Sequence, residues 1–237
     1  MKIEYIGKCL LIETGGEKIL AIGDLHLGYE EALEKSGALV GRRIFAEMIE
    51  EFEGLFGRVG KVNEIVLLGD LKHGLSELGQ QEREELMGTF DYLSGKCEKI
   101  IVIRGNHDNY LLNLTAKRGI EVKEHYLKEE FTFFHGNKDF LEIYDKKIKC
   151  WIMGHLHPAI KLFERRGVKA EKYKCFLEGK FKGKKIIIVP SFSSFSEGTD
   201  VRESEMDMPW KFNFEKFRVL AVGEKLEVLD FGELGRL

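Results

Sequence analysis

The first half of the chain alternates short apolar runs with amphipathic segments. The apolar runs occupy residues 18–22, 64–68 and 99–103, and each is followed by a loop that contains glycine. Between these runs, residues 43–56 and 77–93 repeat apolar side chains at helical spacing. Continuous apolar runs of this length are typical of parallel strands buried on both faces. The pattern therefore predicts a β-α-β arrangement.

After about residue 119 the pattern changes. Apolar runs at 131–134, 149–153, 184–189 and 216–222 follow one another with little helical spacing between them. This succession predicts a second, more antiparallel sheet. No repeat, low-complexity tract or flexible linker separates the halves, so we expect one domain that spans residues 1–237.

Composition narrows the class of protein. With 237 residues, of which 43% are hydrophobic, the chain is long enough to bury a full core. A net charge of -3 argues against nucleic-acid binding through bulk charge, although a local basic surface remains possible. No apolar run approaches the ~18 residues of a membrane span, and the N-terminus lacks the pattern of a signal peptide.

The cysteines indicate a reducing compartment. The four cysteines are widely spaced, form no C-x-x-C motif and lie in apolar or mixed segments. Such residues are typical of reduced core cysteines. We therefore expect a cytoplasmic protein.

The predicted strands end at loops that carry metal-binding types of side chain. The loops after the first three strands read GDLHLG at 23–28, GDLKHG at 69–74 and RGNHD at 104–108. The later strands end at His135 and at the segment WIMGHLHP, residues 151–158. Ligands of open α/β sheets bind beyond the carboxyl ends of the strands. Besides His73, five of the seven histidines fall at these strand ends, which chance scatter does not explain: His26, His107, His135, His155 and His157.

Each of these residues has a plainer interpretation when it is taken alone. His155 and His157 would share one face of a strand interior, and such a face is often only solvated. Gly154 and Pro158 instead indicate a turn at the strand end, which leaves metal binding open. Asp24 alone could cap a helix, as could Asn106. The ordered set of loops favours a shared site over these single interpretations.

The order of these motifs resembles that of the calcineurin-like metallophosphoesterases, whose pattern is D-x-H, G-D, G-N-H-D or E, H, and G-H-x-H. The resemblance covers roughly residues 20 to 160. It rests on Asp24-Leu25-His26, Gly69-Asp70, Gly105-Asn106-His107-Asp108, His135 and Gly154-His155-Leu156-His157. It implies an α/β fold, namely a four-layer αββα sandwich with two mixed β-sheets and a metal site in the loops at one edge.

The resemblance also implies two divalent metal ions. The ligands of the first ion would be Asp24, His26, Asp70 and His157. The ligands of the second ion would be Asp70, Asn106, His135 and His155. Asp70 would bridge the ions, since two cations ~3.5–4 Å apart need a shared anionic ligand to offset their repulsion. Oxygen and imidazole ligands without thiolate favour Mn, Fe, Co, Ni or Zn over Ca, and we expect Mn.

Two further residues have predicted roles near the ions. Metal binding lowers the pKa of water to about 7, and a hydroxide between the ions would attack phosphorus in line. His107 would bind the phosphoryl oxygen or protonate the leaving group. His73 would contact the substrate. For Asp108, a structural role is as good an interpretation as the orientation of His107.

These features predict a dinuclear metal-dependent hydrolase of phosphate esters, above all of phosphodiesters. The chain resembles small phosphoesterases linked to DNA ligase and helicase genes and, more distantly, Mre11-type nucleases. A phosphomonoesterase and a nuclease on the same site remain alternatives, so the expected partner is a phosphate ester, with nucleic acids and nucleotides as candidates. A metal-binding scaffold without catalysis is the alternative of another class. Oligomeric state is not predicted.

A basic segment follows the metal-binding turn. Residues 161–185 hold ten Lys or Arg against three acidic residues, with aromatic residues between them. Such a mixture can bind a nucleic-acid strand through phosphates and stacking. An antiparallel hairpin with its lysines in solvent gives the same pattern and is favoured. The loop at 190–198 is expected near the rim of the site.

Overall fold

The computed structural model describes residues 2–38, 41, 43–74, 78–108, 111–163, 170–203 and 207–237. Its first sheet has six strands in the order β1-β2-β3-β4-β5-β6. They are β1 (Lys2–Ile6), β2 (Cys9–Thr14), β3 (Glu17–Ile22), β4 (Val62–Leu67), β5 (Cys97–Ile103) and β6 (Glu121–Lys123). β3 to β6 are parallel, which confirms the predicted β-α-β arrangement, while β1 and β2 form antiparallel hairpins.

The second sheet has nine strands. They are β7 (His125–Lys128), β8 (Phe131–Phe134), β9 (Cys150–Met153), β10 (Pro158–Phe163), β11 (Ala170–Phe181), β12 (Lys184–Ile188), β13 (Thr199–Asp200), β14 (Arg218–Val222) and β15 (Val228–Glu233). Of the eight strand pairs in its described residues, five are antiparallel. The expectation of a mixed, more antiparallel sheet is confirmed.

Helices cover the outer face of the first sheet. They are α1 (Tyr29–Lys35), α2 (Ile44–Val59), α3 (Gln80–Ser94) and α4 (Leu112–Ala116). Phe52 and Leu55 of α2 and Leu86 and Phe90 of α3 are fully buried against the sheet. Burial of each such side chain contributes roughly 1.5–3 kcal/mol. The two longer helices therefore lie where the helical spacing of the sequence predicts them.

The two sheets pack face to face. One apolar cluster joins side chains of both sheets, including Leu10, Ile101, Phe131 and Ile187. This packing gives the predicted sandwich. On the outer face of the second sheet, the described residues form 3-10 turns and aromatic loops, because large side chains such as Trp210 cover that face themselves. The turns are Leu141–Tyr144, Phe214–Lys216 and Leu234–Arg236.

Two smaller features bear on the class of protein. Within the described parts of the chain, no helix combines the length and apolar character needed to cross a membrane. All four cysteines are free thiols, and Cys9, Cys150 and Cys175 are buried in the sandwich.

Candidate metal centre

The loops after β3, β4, β5, β8 and β9 meet at one edge of the sandwich. Backbone hydrogen bonds join them directly: Leu25 and His26 donate to the carbonyl of Asp70, and Gly154 donates to that of His135. Parallel strands present their carboxyl ends at the same edge, and this brings distant motifs together. The predicted ligands that meet here are Asp24, His26, Asp70, Asn106, His135, His155 and His157.

A first group of donors consists of Asp24, His26 and His157. The Nε2 atoms of His26 and His157 lie 3.2 Å apart, and Nε2 of His157 lies 3.4 Å from Oδ1 of Asp24. Asp24 is fully buried, and Nδ1 of His26 is buried without a hydrogen-bond partner. Ligands bound ~2.1 Å from one ion at angles of about 90–110° lie ~3.0–3.4 Å apart, so these spacings fit a common cation.

A second group consists of Asp70, His135 and His155. Nε2 of His135 lies 3.4 Å from Oδ2 of Asp70 and 3.1 Å from Nδ1 of His155. The side-chain oxygen of Asn106 lies 3.0 Å from the same Nε2 atom, which adds a fourth donor. His155 and His157 therefore belong to different groups, although only one residue separates them.

The protonation of the second group favours a cation. Nδ1 of His135 lies 2.8 Å from the carbonyl of Leu68, and Nε2 of His155 lies 2.9 Å from that of Asp207. Because a carbonyl only accepts hydrogen bonds, these nitrogens carry the protons of the neutral rings. In the neutral rings the facing nitrogens, 3.1 Å apart, both present lone pairs, which repel unless a proton or a metal ion lies between them. The donor set thus fits a divalent ion.

Charges within the cluster shift the pKa values of its members. Burial raises the pKa of Asp24, but the charges of His157 and His135 outweigh this effect and hold it well below its ordinary value. Burial lowers the pKa of His26 to about 4. Burial also lowers the pKa of His135, but the carboxylates of Asp70 and Asp24 raise it to about 9. Without an ion, the two buried carboxylates thus need histidine protons for charge balance, and a bound metal would displace those protons.

The backbone of the cluster adopts an uncommon conformation. Of the eight non-glycine residues with positive φ in the described part of the chain, four are predicted ligands: His26, Asp70, His155 and His157. Such residues cost on the order of 1 kcal/mol each, and they persist where the surroundings hold them in place. The conformation turns each side chain sharply away from its strand and towards the cluster.

The glycines of the motifs make room for ligands of neighbouring motifs. A Cβ atom on Gly105 would lie 2.2 Å from Oδ1 of Asp70, and one on Gly154 would lie 2.7 Å from Oδ2 of Asp24. Both separations are far below van der Waals contact. The glycine in each sequence motif is therefore required by a carboxylate that a different strand supplies.

Replacing Gly105 with alanine is expected to displace Asp70 and to weaken metal binding at least tenfold. The control is Gly57→Ala on the exposed face of α2, where an added Cβ meets nothing within 4 Å and should stabilise the helix by about 0.5–1 kcal/mol. Calorimetric titration with Mn²⁺ and thermal unfolding of both variants measure the two effects. Unchanged Mn²⁺ affinity in Gly105→Ala would contradict this account of the loop.

Asp108 holds two of the metal-site loops together. Its Oδ1 atom accepts the backbone N–H of Leu71 at 2.8 Å, and its Oδ2 atom accepts that of Gly105 at 2.9 Å. Burial raises the pKa of Asp108 to about 6, while the N–H of Gly105 opposes the rise. These contacts favour the structural interpretation of this residue, because neither oxygen is directed at the ligand cluster.

Residues 191–193 hold Asp24 in place. The hydroxyl of Ser191 and the backbone N–H groups of Phe192 and Ser193 all donate to the carbonyl of Asp24. The carbonyls of the same three residues accept from two lysines, Lys8 and Lys174. Burial lowers the pKa of Lys174 to about 7, and the charge of Lys8 adds to this effect. No local sequence pattern predicts that these two lysines hold the segment next to Asp24.

His107 lies beside the cluster. Its Nδ1 atom lies 2.7 Å from the carbonyl of His73, so this nitrogen carries a proton. Its Nε2 atom lies 3.9 Å from Oδ2 of Asp70 and is directed towards the second group. Burial lowers the pKa of His73, and the charges of His107 and Lys72 lower it further. Lys72 itself is fully buried and donates to the carbonyl of Gly74.

An open cleft of about 330 Å³ lies over the cluster. It is lined by His26, Tyr29, His73, His107, His157, Ser193, Phe195 and Ser196. Ser193, Phe195 and Ser196 belong to the 190–198 loop, which was expected near the rim, whereas specific roles for Tyr29 and Phe195 were not predicted. A larger cavity of about 560 Å³ lies between the strands of the second sheet, and none of the predicted site residues lines it.

The basic segment at 161–185 is largely β-structure. β10, β11 and β12 pair antiparallel here, as the hairpin interpretation predicts. Several of its lysines form ion pairs or hydrogen bonds within the protein. Lys161 pairs with Glu203 and Lys185 with Glu178, while Lys184 donates to backbone carbonyls. Residues 164–169 lie outside the described residues.

Comparison with known proteins identifies the family. The model of the calcineurin-like phosphoesterase family matches residues 17–225. The fold is similar to that of the nuclease MPE from Pseudomonas putida, with a TM-score of 0.60 and 18% identity over 94% of this chain and 100% of that chain. Wild-type Vps29 from Entamoeba histolytica in complex with zinc matches with a TM-score of 0.41 and 15% identity over 90% of this chain and 99% of that chain. A search of curated proteins found no match.

The sandwich, the two donor groups and the family match define a metal-dependent hydrolase of phosphate esters. Within that class, the chain belongs to the calcineurin-like phosphoesterase family, whose model spans most of its length. Members of this family generally bind two divalent metals, and the two donor groups correspond to that number.

Proposed function

We propose that this chain is a phosphodiesterase that cleaves strands of nucleic acid. The lining of the cleft carries the proposal, because it includes histidines, serines and aromatic rings but, among the described residues, no lysine or arginine. A phosphomonoester dianion carries one more negative charge than a diester, and sites for it use Arg or Lys to bind the extra charge. The nuclease activity of the similarly folded Pseudomonas protein supports nucleic acid as the substrate.

The ligand assignment follows the two donor groups. Asp24, His26 and His157 would hold the first ion, and Asn106, His135 and His155 would hold the second. Asp70, which lies in the second donor group, would be the shared ligand and would supply a negative charge to both ions. When bound, the ions lower the pKa of water and neutralise charge on the phosphoryl oxygens. Oxygen and imidazole donors without thiolate suit Mn²⁺ as well as Fe, Co, Ni and Zn, and Mn²⁺ is the native metal that we propose.

His107 acts on the phosphoryl group or on the leaving oxygen. The carbonyl of His73 fixes the proton of its Nδ1 atom, so Nε2 is the atom that exchanges a proton in the cleft. This geometry suits a general acid for the departing alkoxide. His73 positions His107 through this carbonyl, and its ring lines the cleft beside the substrate.

The proposal also includes a single domain and a cytoplasmic location. The apolar cluster that both sheets share supports a single domain over residues 1–237. The free thiols of the buried cysteines fit the cytoplasm, where thiols remain reduced.

A matched substrate panel with Mn²⁺ tests the function. We expect hydrolysis of bis-p-nitrophenyl phosphate and of single-stranded DNA at rates at least tenfold above those for p-nitrophenyl phosphate. RNA and cyclic nucleotides complete the panel, and Mg²⁺, Zn²⁺ and Ca²⁺ replace Mn²⁺ in parallel. Preference for the monoester would establish the phosphomonoesterase alternative. Metal binding without hydrolysis of any substrate would establish the scaffold alternative.

A further inference from the structure

One wall of the cleft is aromatic. The rings of Tyr29 and Phe195 stack with their centroids 3.5 Å apart and their planes 28° apart. Phe195 is 43% exposed, and of the exposed large apolar side chains in the described residues it is the one that lines this cleft. With Tyr29 it forms an aromatic surface inside a cleft that also carries polar groups, and such a lining is typical of ligand-binding sites.

The aromatic wall is attached to the metal site on both sides. The ring of Tyr29 packs edge to face against the ring of His73, with the two centroids 4.6 Å apart. Phe195 lies in the loop that continues from the segment held by Lys8 and Lys174. The next residue, Ser196, places its hydroxyl 3.4 Å from Nδ1 of His157. These contacts fix the position of the wall relative to His73 and to His157, one of the proposed metal ligands.

We propose that Tyr29 and Phe195 form a stacking subsite for the nucleobase next to the scissile phosphate. The proposal rests on the proposed function, and it narrows the substrate to nucleic acid whose bases are unpaired and unstacked. Every base has a π-face, so an aromatic platform binds bases with little regard to sequence. In a duplex, neighbouring base pairs cover those faces, and a single strand or a splayed end exposes them.

The chemistry of the cleft favours a base over other flanking groups. A charged group against this wall, such as an acidic side chain of a phosphopeptide or a lipid headgroup, would require cationic side chains beside it, and the described lining offers none. A nucleobase is planar, uncharged and aromatic. It matches the size and character of the exposed Phe195 ring, whose inner face already rests on Tyr29.

The test compares two oligonucleotides of single-stranded DNA that differ only in whether the central nucleotides carry bases or are abasic. Cleavage at the central phosphates is measured with Mn²⁺ for the wild type, Phe195→Ala and Phe195→Trp. The wild type is expected to prefer the base-bearing strand by about 5- to 150-fold, which is the rate equivalent of one base–aromatic stack. Phe195→Ala should bring this ratio close to one, and Phe195→Trp should retain it.

Phe231→Ala is the matched control, because Phe231 is a similarly exposed ring on β15, outside the cleft. It should keep the wild-type ratio, and thermal unfolding verifies that each variant is folded. The subsite is disproved if Phe195→Ala keeps the ratio, or if the wild type cleaves both strands equally; in either case the nuclease function stands. Hydrolysis of bis-p-nitrophenyl phosphate without cleavage of either strand would instead overturn the proposed function.

Discussion

Replacing Asp70 with asparagine is expected to lower phosphodiester hydrolysis by at least about a thousandfold and to weaken metal binding. The substitution keeps the shape of the side chain, including an oxygen that can accept the N–H of His107, which Oδ1 binds at 2.9 Å. It removes the negative charge that the proposed bridging position requires. Its loss should therefore affect both ions.

Two measurements separate these effects for Asp70→Asn. Steady-state hydrolysis of bis-p-nitrophenyl phosphate gives the rate. The rise in unfolding temperature with added Mn²⁺ reports occupancy, since a ligand at one hundred times its Kd stabilises the folded state by about 2.7 kcal/mol. Asp91→Asn on the exposed surface of α3 is the control. Within the described structure Asp91 forms its ion pair with Arg118, and neither residue belongs to the donor groups. A rate in Asp70→Asn near that of the wild type would contradict the assignment.

Replacing His107 with alanine is expected to lower turnover by about 10²- to 10⁴-fold while Mn²⁺ affinity changes little. His107 is beside the donor groups but belongs to neither of them. Its proposed task is to protonate the leaving oxygen, so the loss should be larger for DNA, which releases an alkoxide, than for an ester that releases p-nitrophenolate. The ratio of these two losses is the measurement that identifies a general acid.

His125→Ala provides the control for His107→Ala. His125 lies in β7, where its ring contacts Phe140 rather than the cluster. The control should match the wild type on both substrates. Equal losses on both substrates in His107→Ala would show that His107 acts only on the phosphoryl oxygen, and loss of Mn²⁺ binding would place it among the ligands instead.

Much of the fold could be predicted from local patterns. Apolar runs of β-branched and leucine residues predicted β3, β4 and β5, because both faces of these strands are buried. The strands β1 and β2 were not predicted. Lysine and glutamate interrupt the apolar residues of β1, which lies at the edge of the sheet, whereas β2 has only a short apolar run and lies between β1 and β3. Pairing with the neighbouring strands decides that both segments are strands.

The candidate ligands were also accessible from sequence, but their grouping was not accessible from spacing. His155 and His157 are two residues apart, and in a strand they would have faced the same side. In the structure both have positive φ and belong to different donor groups. The resemblance of the ordered motifs predicted this division, whereas local spacing alone could not.

The order of β3, β4 and β5 with the helices between them, the chemistry of the donors and the resemblance to the family could all be read from the sequence. The contacts that hold the donors in place and line the cleft above them depend on the tertiary structure. Ser191 reaches the carbonyl of Asp24 across 167 positions, and Lys8 reaches that of Phe192 across 184. Tyr29, at the start of α1, and Phe195, in the loop after β12, likewise meet only because both lie at the same edge of the sandwich. Contacts between residues so far apart depend on the packing of the two sheets, and no local pattern encodes them.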